Sequence, residues 1–435
     1  MNSSFIAKVL GRRVWDSRGR PTVEAEVLLH GGAFGRAIAP AGASTGTGEA
    51  IDLRDPDSRH GGSDVLRAVE NINTEIARAL LEKNAVDQSS IDRILIELDG
   101  TPNKARLGGN ATVAVSMAVL HAAAAESQKP IYEYLINGRE LLMPLPEIQI
   151  FGGGSHAAGR VDIQDFMIVA PKARSFAEAL EWTAEVYRAA HDLMSDAGRL
   201  SGVADEGGFW PTFDSNEATL DALMTSIERA GFTPGDEIAI SLDIAASEFY
   251  RDGRYQLALD KRALDTDSMI ELLIDWIDRY PIVSIEDPLS EDDAGGLVAF
   301  TKAVGNRVQI VGDDFLVTNA ARVRRAVTDG ACNAVLIKPN QAGTITEAHA
   351  AFEAAREAGW GTIVSARSGE TEDVTIVHLA VGWGAPQFKV GSFSRSERMA
   401  KWNEMLRIEE RLGRRTRFAG AEPFARSSAA LIAER

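Results

Sequence analysis

Short apolar runs that meet charged residues recur through the second half of this 435-residue chain. Each run has the length and the β-branched content of a buried strand, and stretches of helical length separate the later runs. Repeated alternation of strand and helix predicts a mostly parallel sheet, and eight strands predict a closed TIM-type barrel. Because such barrels carry their chemistry at the strand ends, we expect the charged residues to converge on one mouth. The runs are IAISLD (Asp243), PIVSIED (Glu286, Asp287), VQIVGDD (Asp313, Asp314), AVLIK (Lys338), TIVSARS (Arg367, Ser368), QFKVGS (Lys389), DIQDFMIVAP (Gln164, Asp165) and GVADEGG (Asp205, Glu206).

An α+β region precedes these runs. Residues 4–38 alternate in the manner of three antiparallel strands, and helical patterns follow up to residue 128. The segment NGRELLMPLP contains a turn and two prolines, which favours a domain boundary there. We therefore predict an α/β protein, an eight-stranded TIM-type barrel (residues 139–435) with an N-terminal α+β capping domain (residues 1–138). The tail after residue 421 is small and polar, and we expect it to fray.

Charge and cysteine content restrict the function classes. The formal net charge of −17 argues against a nucleic-acid surface and against binding to anionic membranes. A small anionic substrate remains compatible if local cations overcome the general field. Cys332 is the only cysteine, so no intrachain disulfide forms, which suits a reducing cytosol. The N-terminus lacks the apolar core of a signal peptide, and no run approaches the roughly 20 apolar residues of a membrane span. A cytoplasmic protein is expected.

Three acids, Asp243, Glu286 and Asp313, end three successive predicted strands. Adjacent strands lie about 4.8 Å apart, so these carboxylates would crowd, which is unfavourable unless a cation neutralises them. Oxygen ligands without Cys or His favour a hard ion, Mg²⁺ before Ca²⁺ or Mn²⁺. The alternative is that the three acids independently cap the helices that follow.

Two lysines, Lys338 and Lys389, end two later strands. A lysine in a barrel mouth, near a metal ion and a second lysine, is expected to have a lowered pKa and to act as a general base. The alternative is a pair of ordinary surface lysines. The apolar approach AVLIK, followed by Pro-Asn, argues against that alternative.

Weaker signals come from three glycine-rich segments and one strand end. Glu206 could serve as a general acid opposite the lysine base, although acid-Gly-Gly is also common in turns. Arg367 and Ser368 suit a phosphate or carboxylate, or else represent a helix-capping serine beside a surface arginine. The loop GASTG (residues 42–46) is equally consistent with a surface loop and with one that closes over a phosphate and helps to bind a second metal. His156 follows three glycines in another loop expected to be mobile.

Taken together, these motifs resemble those of the enolase family, the glycolytic 2-phosphoglycerate dehydratases. The resemblance implies a cap on an eight-stranded barrel that opens with an antiparallel pair, and a homodimer. It also implies a lysine base working with Mg²⁺, a pairing already known for this superfamily and not deduced from the present chain. The motifs are DSRGRPTVEAEV, GASTGTGEA, LDGT, GGGSHA, DIQDFMI, DEGG, LDIAASEFY, YPIVSIEDP, VGDD, IKPNQAGT, SGETED and RIEERLG.

The resemblance implies roles for individual residues. It makes Lys338 the base that removes the C2 proton and Glu206 the group that helps the C3 hydroxyl to leave. Removing that proton gives a doubly charged aci-carboxylate, which two Mg²⁺ ions and Lys389 would stabilise. The remaining implied residues are Asp243, Glu286 and Asp313 for the structural Mg²⁺, Ser44 for the second Mg²⁺, and His156, Gln164, Arg367, Ser368 and Lys389 for a small anionic phosphorylated carboxylate.

Two positions depart from the family pattern within the site. Asp165 stands where enolases have a catalytic glutamate, which pulls the carboxylate back by roughly 1.5 Å and could disturb a proton relay. Ala366 stands where enolases have a histidine, and we expect it to leave space for a larger partner. Smaller departures are residues 149–154, Pro339 and Ala342.

Three functions are consistent with these observations. The first is a specialised Mg²⁺-dependent enzyme, a lyase or one put to use as a transferase, similar to the carboxyphosphonoenolpyruvate synthases of phosphonate and phosphinothricin-type antibiotic biosynthesis. The second is an ordinary enolase that converts 2-phosphoglycerate into phosphoenolpyruvate and water. The third is an inactive enolase fold used for binding, which the joint presence of Glu206, Lys338 and Lys389 disfavours.

Overall fold

A computed structural model describes residues 3–57, 59–136 and 138–424 of the chain. The strands are β1 (Ile6–Trp15), β2 (Pro21–Leu29), β3 (Phe34–Ile38), β4 (Leu141–Met143), β5 (Leu145–Gly152), β6 (Asp165–Val169), β7 (Ala239–Asp243), β8 (Tyr250–Arg251), β9 (Arg254–Leu257), β10 (Arg262–Leu264), β11 (Ile282–Glu286), β12 (Gln309–Gly312), β13 (Ala334–Ile337), β14 (Gly361–Ser365), β15 (Gln387–Ser392) and β16 (Thr416–Phe418). The helices are α1 (Leu66–Asn71), α2 (Ala77–Leu80), α3 (Gln88–Asp99), α4 (Gly109–Glu126), α5 (Ile131–Leu135), α6 (Phe176–Asp196), α7 (Asn216–Arg229), α8 (Thr266–Arg279), α9 (Ala294–Val304), α10 (Ala320–Asp329), α11 (Pro339–Ala342), α12 (Ile345–Glu357), α13 (Thr375–Trp383) and α14 (Ser396–Leu412).

The N-terminal region is a three-stranded antiparallel meander, β1-β2-β3, packed on helix α4. Almost every side chain of α4 is buried, and its many small residues let the sheet approach closely. Gly35 shows how close the contact is, because a Cβ there would lie 2.0 Å from the carbonyl oxygen of Ala118. The predicted meander and the predicted helices of this region are confirmed. A π-helical stretch, Ile72–Ile76, joins α1 to α2.

The C-terminal region is a closed barrel of eight strands in the order β5-β6-β7-β11-β12-β13-β14-β15. Strand β6 runs antiparallel to both β5 and β7, and the other neighbours are parallel. The barrel and its antiparallel opening pair are therefore confirmed.

One predicted strand is wrong. Residues 204–208, in the run GVADEGG, form a turn, and Gly207 there has a φ of +96°. The missing barrel strand is β5, which is buried along its whole length. The buried polar side chains Glu147 and Gln149 interrupt its apolar pattern, so its sequence resembles a linker rather than a strand.

The antiparallel direction of β6 explains why it contributes to the barrel mouth. Gln164 and Asp165 lie at the start of this strand, whereas Asp243 and Glu286 are the last residues of β7 and β11. Asp165 pairs in register with Asp243, the last residue of β7. The start of β6 therefore lies on the same rim as the C-terminal ends of its antiparallel neighbours, β5 and β7.

Local capping sets where several barrel helices begin. The side chains of Ser175, Ser215, Asp265 and Thr344 each accept a hydrogen bond from a backbone N–H in the first turn of the helix that follows. Within the described residues, no helix has both the length and the apolar content of a membrane span. The predicted domain boundary near residue 138 stays a prediction. The predicted tail lies mostly outside the described residues, which end at residue 424.

Candidate active site

One cavity at the C-terminal rim of the barrel collects the predicted site residues. Its free volume is only about 30 Å³, because the loop at residues 42–44 and Arg367 lie over it. This free volume is smaller than a phosphorylated carboxylate. Glu286 lies beside the cavity and contacts Lys389, which lines it. The predicted residues that line the cavity are Ser44, His156, Gln164, Asp165, Glu206, Asp243, Asp313, Lys338, Arg367, Ser368 and Lys389.

Lys389 connects three buried carboxyl groups. Its Nζ lies 2.8 Å from Asp243 Oδ2, 2.8 Å from Glu286 Oε2 and 3.4 Å from Asp165 Oδ2. Burial lowers the pKa of Lys389, but the charges of Asp243 and Glu286 outweigh burial and raise this pKa well above its ordinary value. Burial and the neighbouring Asp243 raise the pKa of Glu286 well above the ordinary range. One ammonium group therefore contacts three carboxyl groups. The cluster has fewer cationic groups than acidic groups.

The position of Lys338 agrees with the prediction, but its pKa does not. Its Nζ donates to Asp313 Oδ2, so it points towards the acids. Burial lowers the pKa of Lys338 as expected, but the charge of Asp313 outweighs burial and the net direction is upward. The expectation of a lowered pKa is therefore wrong for this arrangement. The reason is that the carboxylate predicted to hold a metal ion is paired with the lysine instead.

The chemistry of the buried oxygens fits a hard cation. Glu286 Oε1 and Gln164 Oε1 are buried without a hydrogen-bond partner, and burying such atoms unpaired is costly. Asp243 Oδ2 accepts from Gln164 Nε2 at 3.0 Å and from Lys389. Asp243, Glu286 and Asp313 could thus hold Mg²⁺ once the lysines withdraw from them. This trio does not gather its oxygens within 4.8 Å of one another; among the described residues, the groups that do so are His156–Asp165–Glu206 and Asp287–Asp313–Asp314.

The GASTG loop is anchored over the cavity rather than free on the surface. Arg367 Nη2 donates to the Ser44 carbonyl oxygen at 2.9 Å, and the Ala43 N–H donates to Ser368 Oγ at 2.7 Å. Arg367 Nη1 also contacts Glu49 Oε2 at 3.0 Å. Ser44 Oγ lies 3.5 Å from Asp314 Oδ2, beside the acidic group rather than within it. The two residues predicted to bind an anion thus also hold the loop.

His156 lies between two acids. Its Nδ1 is 3.4 Å from Asp165 Oδ1, and its Nε2 is 4.0 Å from Glu206 Oε1. Burial lowers the pKa of His156, but the charges of Glu206 and Asp165 outweigh burial and raise it. The two acids therefore favour the protonated form of this ring more than water does for a free histidine.

The two departures behave differently. Asp165 is buried and engaged by Lys389, His156 and Gln149, so the shorter side chain still has charged partners. Burial raises the pKa of Asp165, but Lys389 and His156 outweigh burial and the net direction is downward. Ala366 lines the cavity, but the small free volume shows that its missing ring does not leave an open space here. The expectation of vacated volume is not met in this closed arrangement.

Sequence reasoning missed several residues around the cavity. Gln341 Nε2 donates to Asp313 Oδ1 at 2.9 Å and to Glu49 Oε1 at 3.1 Å. Arg18 Nη1 lies 3.4 Å from Ser368 Oγ. All three residues belong to motifs quoted above (IKPNQAGT, GASTGTGEA and DSRGRPTVEAEV), but none of them ends a predicted strand.

The fold and the site define a class: a barrel enzyme with buried lysines and carboxylates at the C-terminal rim and an α+β cap that closes it. Comparison with family models agrees with this class. The N-terminal domain of enolase matches residues 6–135, and the C-terminal TIM barrel domain of enolase matches residues 140–427. The chain therefore belongs to the enolase family and is an enolase-superfamily enzyme.

Proposed function

We propose that this protein is a Mg²⁺-dependent enzyme that removes the C2 proton of 2-phosphoglycerate or a close analogue and forms an enolpyruvate product. One observation carries the proposal: Lys338 and Lys389 are both buried at the barrel rim and contact the acids Asp313, Asp243 and Glu286. Structural lysines are rarely buried in this way, whereas a base and an electrostatic stabiliser need this placement.

Lys338 acts as the base in its neutral form. Its Nζ takes the proton from C2, and the electron pair of the broken C–H bond moves into the adjacent carboxylate. Loss of the pairing with Asp313 lowers the pKa of Lys338, because the carboxylate is what raises it. Asp243, Glu286 and Asp313 would hold one Mg²⁺ and Ser44 would help to hold a second, and these ions would supply positive charge that stabilises the aci-carboxylate. Lys389 contributes a further positive charge.

Glu206 completes the elimination in its protonated form. It donates a proton to the C3 hydroxyl, the C3–O bond breaks, water leaves and the C2–C3 double bond forms. His156, which lies between Glu206 and Asp165, holds the substrate anion. Arg367, Ser368 and Gln164 bind the carboxylate and phosphate groups and take no part in proton transfer.

The finer proposal is a specialised paralogue of the carboxyphosphonoenolpyruvate synthase type, which acts on 2-phosphoglycerate or a close analogue and works as a transferase. Asp165 and Ala366 support it, since both change groups that face the substrate in ordinary enolases. Ordinary enolase activity is the second candidate, supported by the presence of Glu206, Lys338 and Lys389 in one cavity. The enolase family further supports a homodimer in the cytoplasm, and the net charge of −17 argues against nucleic-acid partners.

Two assays separate these candidates. The first follows exchange of the C2 proton of 2-phosphoglycerate with deuterated solvent by NMR, with Mg²⁺ present and with Lys338→Ala as the control. The second follows formation of phosphoenolpyruvate. Exchange with little phosphoenolpyruvate supports the specialised paralogue, and robust turnover supports the ordinary enolase. Absence of exchange with 2-phosphoglycerate and with phosphonate analogues would defeat the proposal and leave a binding protein.

A further inference from the structure

Gln149 is the neutral side chain that contacts the Asp165 carboxylate. Its Nε2 donates to Asp165 Oδ1, the oxygen that also faces His156 Nδ1. The other oxygen, Oδ2, faces Lys389. Gln149 comes from β5, the strand that the sequence did not reveal, and it is fully buried.

The other end of the same amide holds the turn that carries Glu206. Gln149 Oε1 accepts a hydrogen bond from the Gly208 N–H at 2.8 Å. The turn is closed by the Ala204 N–H, which donates to the Gly208 carbonyl oxygen at 2.7 Å. Because Oε1 needs a donor and Asp165 needs one too, these two contacts fix the orientation of the amide. One side chain therefore connects the two acids that lie on either side of His156.

Two glycines make room for this amide. A Cβ at Gly208 would lie 2.4 Å from Gln149 Oε1, and a Cβ at Gly152 would lie 2.9 Å from Gln149 Nε2. Neither glycine has a positive φ, so backbone conformation does not require glycine at these positions. Glycine is required at both positions because an added Cβ would collide with the Gln149 side chain.

We propose that Gln149 is a positioning residue that sets the location of the Asp165 carboxylate relative to the Glu206 turn. The inference rests on the proposed function, in which Glu206 and His156 act on the substrate. Gln149 Nε2 and Asp165 Oδ1 are in direct contact, so the length of each side chain affects the position of the other. Shortening Gln149 by one carbon withdraws the amide by roughly 1.5 Å, and lengthening Asp165 by one carbon drives its carboxylate into the amide.

A length exchange between the two side chains tests this proposal. The variants are Gln149→Asn, Asp165→Glu and the double variant, in which one carbon is moved from one side chain to the other. Each single variant is expected to lower the rate of C2-proton exchange at saturating substrate by about tenfold or more, because the reacting groups are misplaced by about 1 Å. The double variant is expected to recover most of that loss.

Two further readouts do not depend on the substrate. The first is the urea midpoint of the metal-free protein, in which the double variant should lose less than the sum of the two single losses. The second is the NMR chemical shift of the His156 ring, which should move in Gln149→Asn and return in the double variant. A lack of exchange in the unmodified protein would count against the proposed function, while these two readouts still decide the role of Gln149.

Gln387→Asn is the matched control. Gln387 is also a fully buried barrel glutamine, but it forms hydrogen bonds with Glu147 and Gln309 rather than with Asp165. It should lose stability without a change in proton exchange or in the His156 signal. If Gln149→Asn fails to fold, Gly208→Ala displaces the same amide with its added Cβ and should give the same His156 change. The proposal is overturned if Gln149→Asn behaves like Gln387→Asn, or if the double variant recovers nothing.

Discussion

Replacing Lys389 with methionine removes the ammonium group and keeps most of the side-chain volume. Nζ lies 2.8 Å from Asp243 Oδ2, an attraction of about 6 kcal/mol at an effective dielectric constant of about 20, and it also donates to Glu286 Oε2 at 2.8 Å. Desolvation of the charges offsets most of this, and removing one partner of a buried ion pair costs about 3–5 kcal/mol. We expect Lys389→Met to lower the free energy of unfolding of the metal-free protein by about 3–5 kcal/mol.

Urea denaturation followed by circular dichroism, with a chelator present, measures this loss. Lys302→Met is the matched control, because Lys302 is exposed on barrel helix α9. The loss should be larger at about pH 8 than at about pH 5. The folded-state pKa of Glu286 is already raised, and removal of Lys389 raises it further. A group of this kind binds its proton more tightly in the folded state, so its contribution to stability falls as pH rises above the ordinary value.

Mg²⁺ should then stabilise the variant, because the unpaired carboxylates are free to bind it. At about one hundred times its dissociation constant, a bound ion contributes about 2.7 kcal/mol. Equal midpoints for Lys389→Met and Lys302→Met at both pH values would refute the reasoning. They would mean that the ammonium group contributes no net stability and that the acids are not held by it.

Three further predictions follow from particular contacts. Lys338→Ala should abolish C2-proton exchange while leaving stabilisation by Mg²⁺ in place, as thermal unfolding would show; residual exchange near the parent rate would exclude Lys338 as the base. Burial lowers the pKa of His378 to about 4, so its neutral ring stabilises the fold fully above about pH 6.5 and this contribution is lost as pH falls towards 4, by at most about 3 kcal/mol. His378→Phe should therefore flatten the decline of the urea midpoint between these pH values, and an unchanged decline would contradict the assignment. Ala366→His combined with Asp165→Glu should raise dehydratase activity towards 2-phosphoglycerate when Gln149→Asn makes room for the longer acid; no gain in this triple variant would contradict the account of specificity.

The barrel was largely predictable because its strands repeat one pattern. The run IAISLD becomes β7 and ends at Asp243, and PIVSIED becomes β11 and ends at Glu286. Strand β5 was not predicted because Glu147 and Gln149 are polar residues buried inside the barrel. Glu147 bonds to Gln387, and Gln149 bonds to Asp165. A pattern search based on apolar residues does not detect a strand whose buried side chains satisfy one another.

Candidate residues at strand ends were also predictable, since the direction of a parallel strand decides which end carries the chemistry. The charged groups that these residues pair with were not predictable from the sequence. Lys338 was expected to lose its proton readily, and the pairing with Asp313 reverses that direction. The space expected beside Ala366 is closed because Arg367 and the loop at residues 42–44 cover it.

The sequence by itself determined the architecture, the family and the residues that meet at the barrel rim, because these follow from periodicity and from ordered motifs along the chain. Only the tertiary structure decided which charges pair and how Gln149 connects Asp165 to the Glu206 turn. It also decided that the buried oxygens without a hydrogen-bond partner in this site belong to Gln164 and Glu286. The physical reason is distance. A pKa or a hydrogen bond depends on atoms within a few ångströms, and here those atoms come from residues that lie between 16 and 146 positions apart.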